Sequence, residues 1–198
     1  MDAIKLPKKL ILIGNSGSGK TTIKNLLLQD HFLKAKYCYD FIGDVSHTTR
    51  PKRDSEIDGK DYNFVSDKEF EDLGFIQKVE HNGFKYGTST EQFKEKNLFI
   101  MNPTGVNIIP QHFFEEFDIK IVKLMVSGSI SQARQLERYD SDEKRIAMLS
   151  KAVIRCRFEK EEFAKDIIHP YFNIHNDNLS IDKTLELILN FYKSNKNG

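Results

Sequence analysis

Residues Gly14-Asn15-Ser16-Gly17-Ser18-Gly19-Lys20-Thr21 match G-x-x-x-x-G-K-[ST] in full. Glycines at this spacing let backbone N–H groups turn inward, and a following helix adds the positive end of its dipole. The stretch therefore suits a row of phosphate oxygens. Lys20 supplies a cation for the terminal phosphates, and the Thr21 hydroxyl is placed to ligate a Mg²⁺ ion arriving with them. The flanks agree. Leu10-Ile11-Leu12-Ile13 reads as a buried strand entering the loop, and Thr22, Ile23, Leu26 and Leu27 open an amphipathic helix behind it.

A second group of residues could also hold an anion. The run DVSHTTRPKRDSEIDGKD, residues 44–61, has no hydrophobic period, carries Pro51 and Gly59, and reads as a long loop. Loops of this length inside a domain are commonly functional or disordered. Arg50 and Arg53 bring guanidinium forks suited to bidentate phosphate recognition. Tyr62 and Tyr86 add hydroxyls from neighbouring strand patterns. On residue type alone, the loop reads equally well as a solvated basic loop.

The elements that must position these groups follow from periodicity. Strands are expected at 10–13, 35–42, 62–65, 98–101, 119–126 and 171–174, with a hairpin at 75–81 and 84–86 turned by Asn82-Gly83. Ser66 with Glu69, and Thr88 with Glu91, read as capping boxes ahead of short helices. Further helices are expected at 20–31, 105–114, 130–139, 143–165 and 180–192. In the helix over 143–165, Ile146, Leu149, Val153, Cys156 and Phe163 share one face; in the closing helix Leu185, Ile188 and Leu189 point inward. Strands alternating with helices imply an α/β domain with a parallel five-stranded core sheet flanked by helices. The segment 44–96 breaks the alternation and reads as an insertion.

Composition narrows the function classes. The 198 residues suit one domain, and a net charge of +1 offers no global field for nucleic acid or an anionic membrane. No apolar run approaches the ~20 residues of a membrane span. The N-terminal MDAIKLPKKL lacks a secretory h-region. Cys38 and Cys156 are far apart, without C-x-x-C spacing, which fits a reduced, cytoplasmic location. The six histidines show no metal-ligand spacing. A GTPase is disfavoured because N-K-x-D is absent, although Asp40-Phe41-Ile42-Gly43 matches the short D-x-x-G.

Taken in order, Val45-Ser46-His47-Thr48-Thr49-Arg50-Pro51-Lys52-Arg53, then Gly59-Lys60-Asp61-Tyr62-Asn63-Phe64, then Tyr86-Gly87-Thr88 resemble the monophosphate-binding segment of guanylate kinases: V-S-x-T-T-R-x-x-R, G-x-D-Y-x-F and Y-G-T/S. The resemblance runs from Leu10 to about Thr90 and resumes more weakly toward the C-terminus. It implies transfer of the ATP γ-phosphoryl group to a nucleoside monophosphate, with GMP becoming GDP. ATP and its Mg²⁺ would be held by Gly14, Asn15, Ser16, Gly17, Ser18, Gly19, Lys20, Thr21 and Thr22, with Arg134 and Asn176. Ser46, Arg50, Arg53, Tyr62, Gln77, Tyr86, Thr88 and Asn102 would hold the acceptor. By position, Arg134, Arg138 and Arg155 match the arginines of a helical lid over 128–165, so Lys20, Arg50, Arg138 and Arg155 become the catalytic set. The core would then be 1–43, 97–127 and 166–198, the insertion 44–96, and the protein a monomer or homodimer with no nucleic-acid or membrane partner.

Two departures qualify this picture. Where the family reads guanine N1–H and N2 with a carboxylate, this chain has Gln77, whose amide accepts through Oε1 only. Glu80 cannot replace it, because strand residues an odd number apart face opposite sides. At the family's D-x-D stand Ile100 and Asn102. The alternatives are an inactive interaction module of guanylate-kinase type, or a kinase of another monophosphate or of a sugar phosphate. The intact Lys20 weighs against the module.

Overall fold

Leu10, Ile11, Leu12 and Ile13 have no exposed surface, and both faces of their strand are covered. The computed structural model describes residues 6–29, 39–52, 54, 56–81, 83–137, 141, 143–146, 148–149, 151–153 and 167–194. Within it, β1 (Lys8–Gly14) pairs in parallel with β6 (Leu98–Ile100) on one side and β7 (Asp118–Met125) on the other. Strand β8 (Phe172–His175) extends β7, giving the order β6-β1-β7-β8. Leu10 and Leu12 face a cluster with Ile23 and Leu27 of α1 (Lys20–Gln29) and Leu185, Ile188 and Leu189 of α7 (Ile181–Lys193). Ile11 and Ile13 face the opposite cluster, with Phe93, Phe99 and Phe113. A parallel strand buried on both faces must be apolar at every position, which is why β1 shows no alternation.

Among the described residues the core sheet has four strands. A single parallel bridge, Gly43 to Leu98, marks a further position at the free edge of β6. There the Asp44 N–H donates to the Leu98 carbonyl at 3.0 Å, and the Leu98 N–H to the Ile42 carbonyl at 3.2 Å. Of the strand expected at 35–42, residues 35–38 lie outside the described residues, and 39–42 form no strand.

A second sheet, wholly within 44–96, has the order β3-β2-β5-β4: β2 is His47–Thr48, β3 Asn63–Phe64, β4 Phe75–His81 and β5 Phe84–Ser89. β2 falls inside the stretch read as loop, since two residues are too few for a period to show. The hairpin turns at Gly83, with φ of +75°. Helix α2 (Asp67–Asp72) starts with the expected Ser66–Glu69 capping box, a cap worth ~1 kcal/mol. The next cap is Ser89, not Thr88: β5 runs on through Thr88, and Ser89 accepts from the Gln92 N–H ahead of α3 (Thr90–Glu95).

The helix expected over 105–114 is two, α4 (Pro103–Asn107) and α5 (Gln111–Glu116), divided at Pro110. A proline disfavours the helical conformation in the residue before it. Val106 of α4 and Ile76 of β4 belong to one core cluster, which seats the second sheet on the first. Helix α6 (Gly128–Leu136) follows β7. Beyond it, Ile146 and Leu149 are 73% and 45% exposed rather than inward. No helix among the described residues is long and apolar enough to cross a membrane.

Candidate active site

The C-terminal end of β1 delivers the chain into the glycine loop, and α1 begins at Lys20. A Cβ on Gly14 (φ +152°) would collide with the Leu124 carbonyl oxygen, and one on Gly17 (φ +75°) would lie 2.8 Å from the Ser131 carbonyl oxygen. Only glycine fits either place. Three successive carbonyls of the loop are tied from outside. Ser16 O accepts from Ser131 Oγ at 2.7 Å, Gly17 O from Arg134 Nη1 at 3.1 Å, and Ser18 O from Asn176 Nδ2 at 2.9 Å. Because peptide units are planar and trans, these bonds turn the N–H groups of Gly17 and Gly19 to the other side. Ser18 N–H closes the turn on Asn15 O at 3.1 Å. Lys20 Nζ folds over the loop, donating to Gly14 O at 2.6 Å and Asn15 O at 2.9 Å. Thr21 and Thr22 are exposed on the first turn of α1.

Asn176 is buried at the end of β8, with Oδ1 3.0 Å from the Thr184 hydroxyl, and its carbonyl accepts from Arg134 Nη2 at 3.1 Å. A cavity of about 350 Å³ opens beside the loop, lined by Gly19, Thr22, Ile23, Arg134, Asn176 and Leu179 among others. A larger cleft of about 520 Å³ lies by Lys8, Tyr39, Lys96 and Tyr192, at the opposite ends of the strands. In parallel α/β sheets ligands collect at the carboxyl ends, so the smaller cavity is the candidate.

The second sheet carries the other candidate anion-binding group. β2 and β5 set Thr48 opposite Tyr86, and the Thr48 hydroxyl accepts from the Arg50 N–H at 3.1 Å. Arg50 donates from Nη2 to Glu56 Oε1 at 2.7 Å and from Nη1 to Pro51 O at 2.7 Å. Its guanidinium sits 5.6 Å from the Tyr62 ring and 5.5 Å from the Phe64 ring. The Glu56 hydrogen bond holds Arg50 above its ordinary pKa, and burial pushes the Tyr62 hydroxyl up. The Tyr62 and Tyr86 rings meet edge to face at 5.9 Å. A guanidinium oriented beside the Tyr62 ring, with Tyr86 against that ring, is a group of donors suited to a phosphate.

Tyr86 and Thr88 lie two apart on β5 and so share a face. Behind Tyr86, Thr88 Oγ1 accepts from Gln77 Nε2 at 3.2 Å and lies 3.4 Å from Ser46 Oγ. Ser46 Oγ donates to Asp44 Oδ2 at 2.8 Å. Lys24 of α1 reaches across to this group, its Nζ 2.7 Å from Asp44 O and 3.3 Å from Asp44 Oδ1.

The family model for guanylate kinase matches residues 6–101. A guanylate kinase from Syntrophus aciditrophicus is 31% identical over 200 residues, covering 94% of this chain and 86% of that protein. The chain belongs to the guanylate kinase family. A guanylate kinase from Neisseria gonorrhoeae is 41% identical over 96 residues, a match spanning 46% of this chain and only 43% of that relative. The crystal structure of guanylate kinase from Anaplasma phagocytophilum shares the fold, with a TM-score of 0.63 at 23% identity over 96% of this chain and 86% of that one.

Gln77, Ile100 and Asn102 are the positions at which the sequence departs from the expected pattern. Gln77 is buried at 7% exposure and Glu80 is exposed; the ladder runs regularly from Gln77–Thr88 to Glu80–Lys85, so the two face opposite sides. Ile100 packs against the apolar core. Asn102 caps α4, its Oδ1 accepting from the Gly105 N–H at 2.6 Å. Arg53, Arg138 and Arg155 lie outside the described residues, as do Cys38 and Cys156. Sequence reasoning missed Asp44, Lys24 and Glu56. Asp44 stands two residues before Ser46, so an extended segment would have put them on one side. Glu56 reaches Arg50 across a loop and leaves no local signal.

Proposed function

We propose that this guanylate kinase family member transfers the ATP γ-phosphoryl group to a nucleoside monophosphate, GMP being the acceptor that family membership points to. The observation that carries the reading is the Lys24–Asp44 pair, 19% and 2% exposed at the side chains. It pins the helix behind the glycine loop to the segment that presents Arg50, so two phosphate-suited donor sets share one scaffold. Phosphoryl transfer asks chiefly for charge neutralisation and in-line positioning, which amides, ammonium and guanidinium supply.

In this reading Gly14 to Thr22, with Arg134 and Asn176, serve ATP. Arg50, Arg53, Tyr62 and Tyr86 serve the acceptor phosphate, and Ser46, Gln77, Thr88 and Asn102 border its base. Arg138 and Arg155 belong to a lid over 128–165 that excludes water on closing. Among the described residues no cluster of three or more His, Cys, Asp or Glu could hold a metal ion. The exposed Thr21 hydroxyl fits a Mg²⁺ whose other ligands are phosphate oxygens, and such an ion neutralises phosphate charge.

ATP consumption measured against a panel of nucleoside and sugar monophosphates tests the proposal. Transfer to a nucleoside monophosphate is expected; its absence, together with tight binding of an acidic peptide, would instead support an interaction module. Gln77→Glu is expected to raise kcat/KM for GMP about tenfold, since a carboxylate accepts from both N1–H and N2. No gain would remove guanine as the preferred base.

A further inference from the structure

Asp44, 3% exposed, collects the protons of the polar wall behind Tyr86. Its Oδ2 accepts from Ser46 Oγ at 2.8 Å and from Thr88 Oγ1 at 3.4 Å, while Gln77 Nε2 donates to Thr88 Oγ1 at 3.2 Å. A hydroxyl has one proton to give, so with those protons directed at Asp44 the remaining hydrogen-bonding capacity of Ser46 and Thr88 is as acceptors, Thr88 being fully buried. Gln77 Oε1 is buried and has no hydrogen-bond partner among the described residues. It lies beside Gly105, where an added Cβ would come within 2.8 Å of it. Buried acceptors are seldom left without a donor, so a ligand donor is the natural partner. Three adjoining side chains thus carry acceptors on one wall, that of Ser46 partly exposed and those of Thr88 and Gln77 buried.

The geometry points to Asp44 as a positioning residue that sets base specificity. Acting through Ser46 and Thr88, it makes this wall accept hydrogen bonds and so selects a purine with an exocyclic amine over one with only an oxo group. The inference rests on reading the cleft as the monophosphate site. Lys24 makes the idea sharp, because its ammonium lies 3.3 Å from Asp44 Oδ1 and orients the carboxylate. In Asp44→Asn the amide oxygen would stay toward Lys24 and the NH₂ would face the two hydroxyls. Their protons would then be free to point at the ligand, and the polarity of the wall would reverse.

Binding of AMP, GMP and IMP, measured by calorimetry without ATP, tests this. AMP carries its amine at C6, GMP has a C2 amine with a 6-oxo group and N1–H, and IMP has the same 6-oxo group and N1–H without an exocyclic amine. For the unaltered protein, AMP or GMP is expected to bind about tenfold tighter than IMP; Asp44→Asn should erase that ratio, with IMP gaining. Which of the two loses affinity reports whether the C6 or the C2 amine is read. Equal binding of all three nucleotides, or an equal loss for all three in the variant, overturns the inference, since a merely structural role moves them together. If Asp44→Asn does not fold, Thr88→Val should weaken the amine-bearing nucleotide and spare IMP; a uniform loss overturns the idea. Selective binding without phosphoryl transfer would end the proposed function and leave this inference standing, whereas transfer favouring IMP would do the reverse.

Discussion

Lys20→Ala is expected to lower turnover about 10³-fold, in line with removing one cation or donor from a developing phosphoryl charge. The fold should survive. Lys20 Nζ donates to acceptors of its own loop, Gly14 O, Asn15 O and Ser18 Oγ, and water can serve these once the ammonium is gone. The carbonyls of Ser16, Gly17 and Ser18 keep their ties to Ser131, Arg134 and Asn176, so the loop retains its curvature. A steady-state transfer assay with a thermal melt on the same sample separates chemistry from stability. An unchanged rate would dismiss the assignment of the glycine loop to ATP.

Arg50→Ala is expected to raise KM for the monophosphate roughly 100-fold while leaving KM for ATP nearly unchanged, the size expected from losing hydrogen bonds to a charged group. Part of that loss would come from Glu56, whose carboxylate loses its 2.7 Å guanidinium partner and adds negative charge near the acceptor phosphate. The double variant Arg50→Ala with Glu56→Gln should therefore recover some affinity, and the coupling can be read from a double-mutant cycle. Arg50→Lys keeps the charge but not the fork and should fall between. Equal increases in both KM values would remove Arg50 from the acceptor site.

How far the site was legible depends on how local its determinants are. The capping box at Ser66, the hairpin of β4 and β5 and the amphipathic closing helix are set by neighbours within a few residues, and all three are present. The two-residue β2 and the break at Pro110 were harder to see, because a pairing that short has no period and the proline acts on its neighbour. Ile146 shows the opposite case: it fits an apolar helical spacing and is 73% exposed.

By itself the amino-acid order determined the glycine loop, its strand-and-helix flanks, the arginine–tyrosine segment and the family to which they belong, because each is written in contiguous residues whose backbone preferences act locally. Only the tertiary structure decided which groups face one another: Lys24 with Asp44, Arg50 with Glu56, and Asp44 with the hydroxyls of Ser46 and Thr88. Thr88 lies 44 residues from Asp44, and hydrogen-bond polarity across that gap depends on where three separate strands and one helix come to rest.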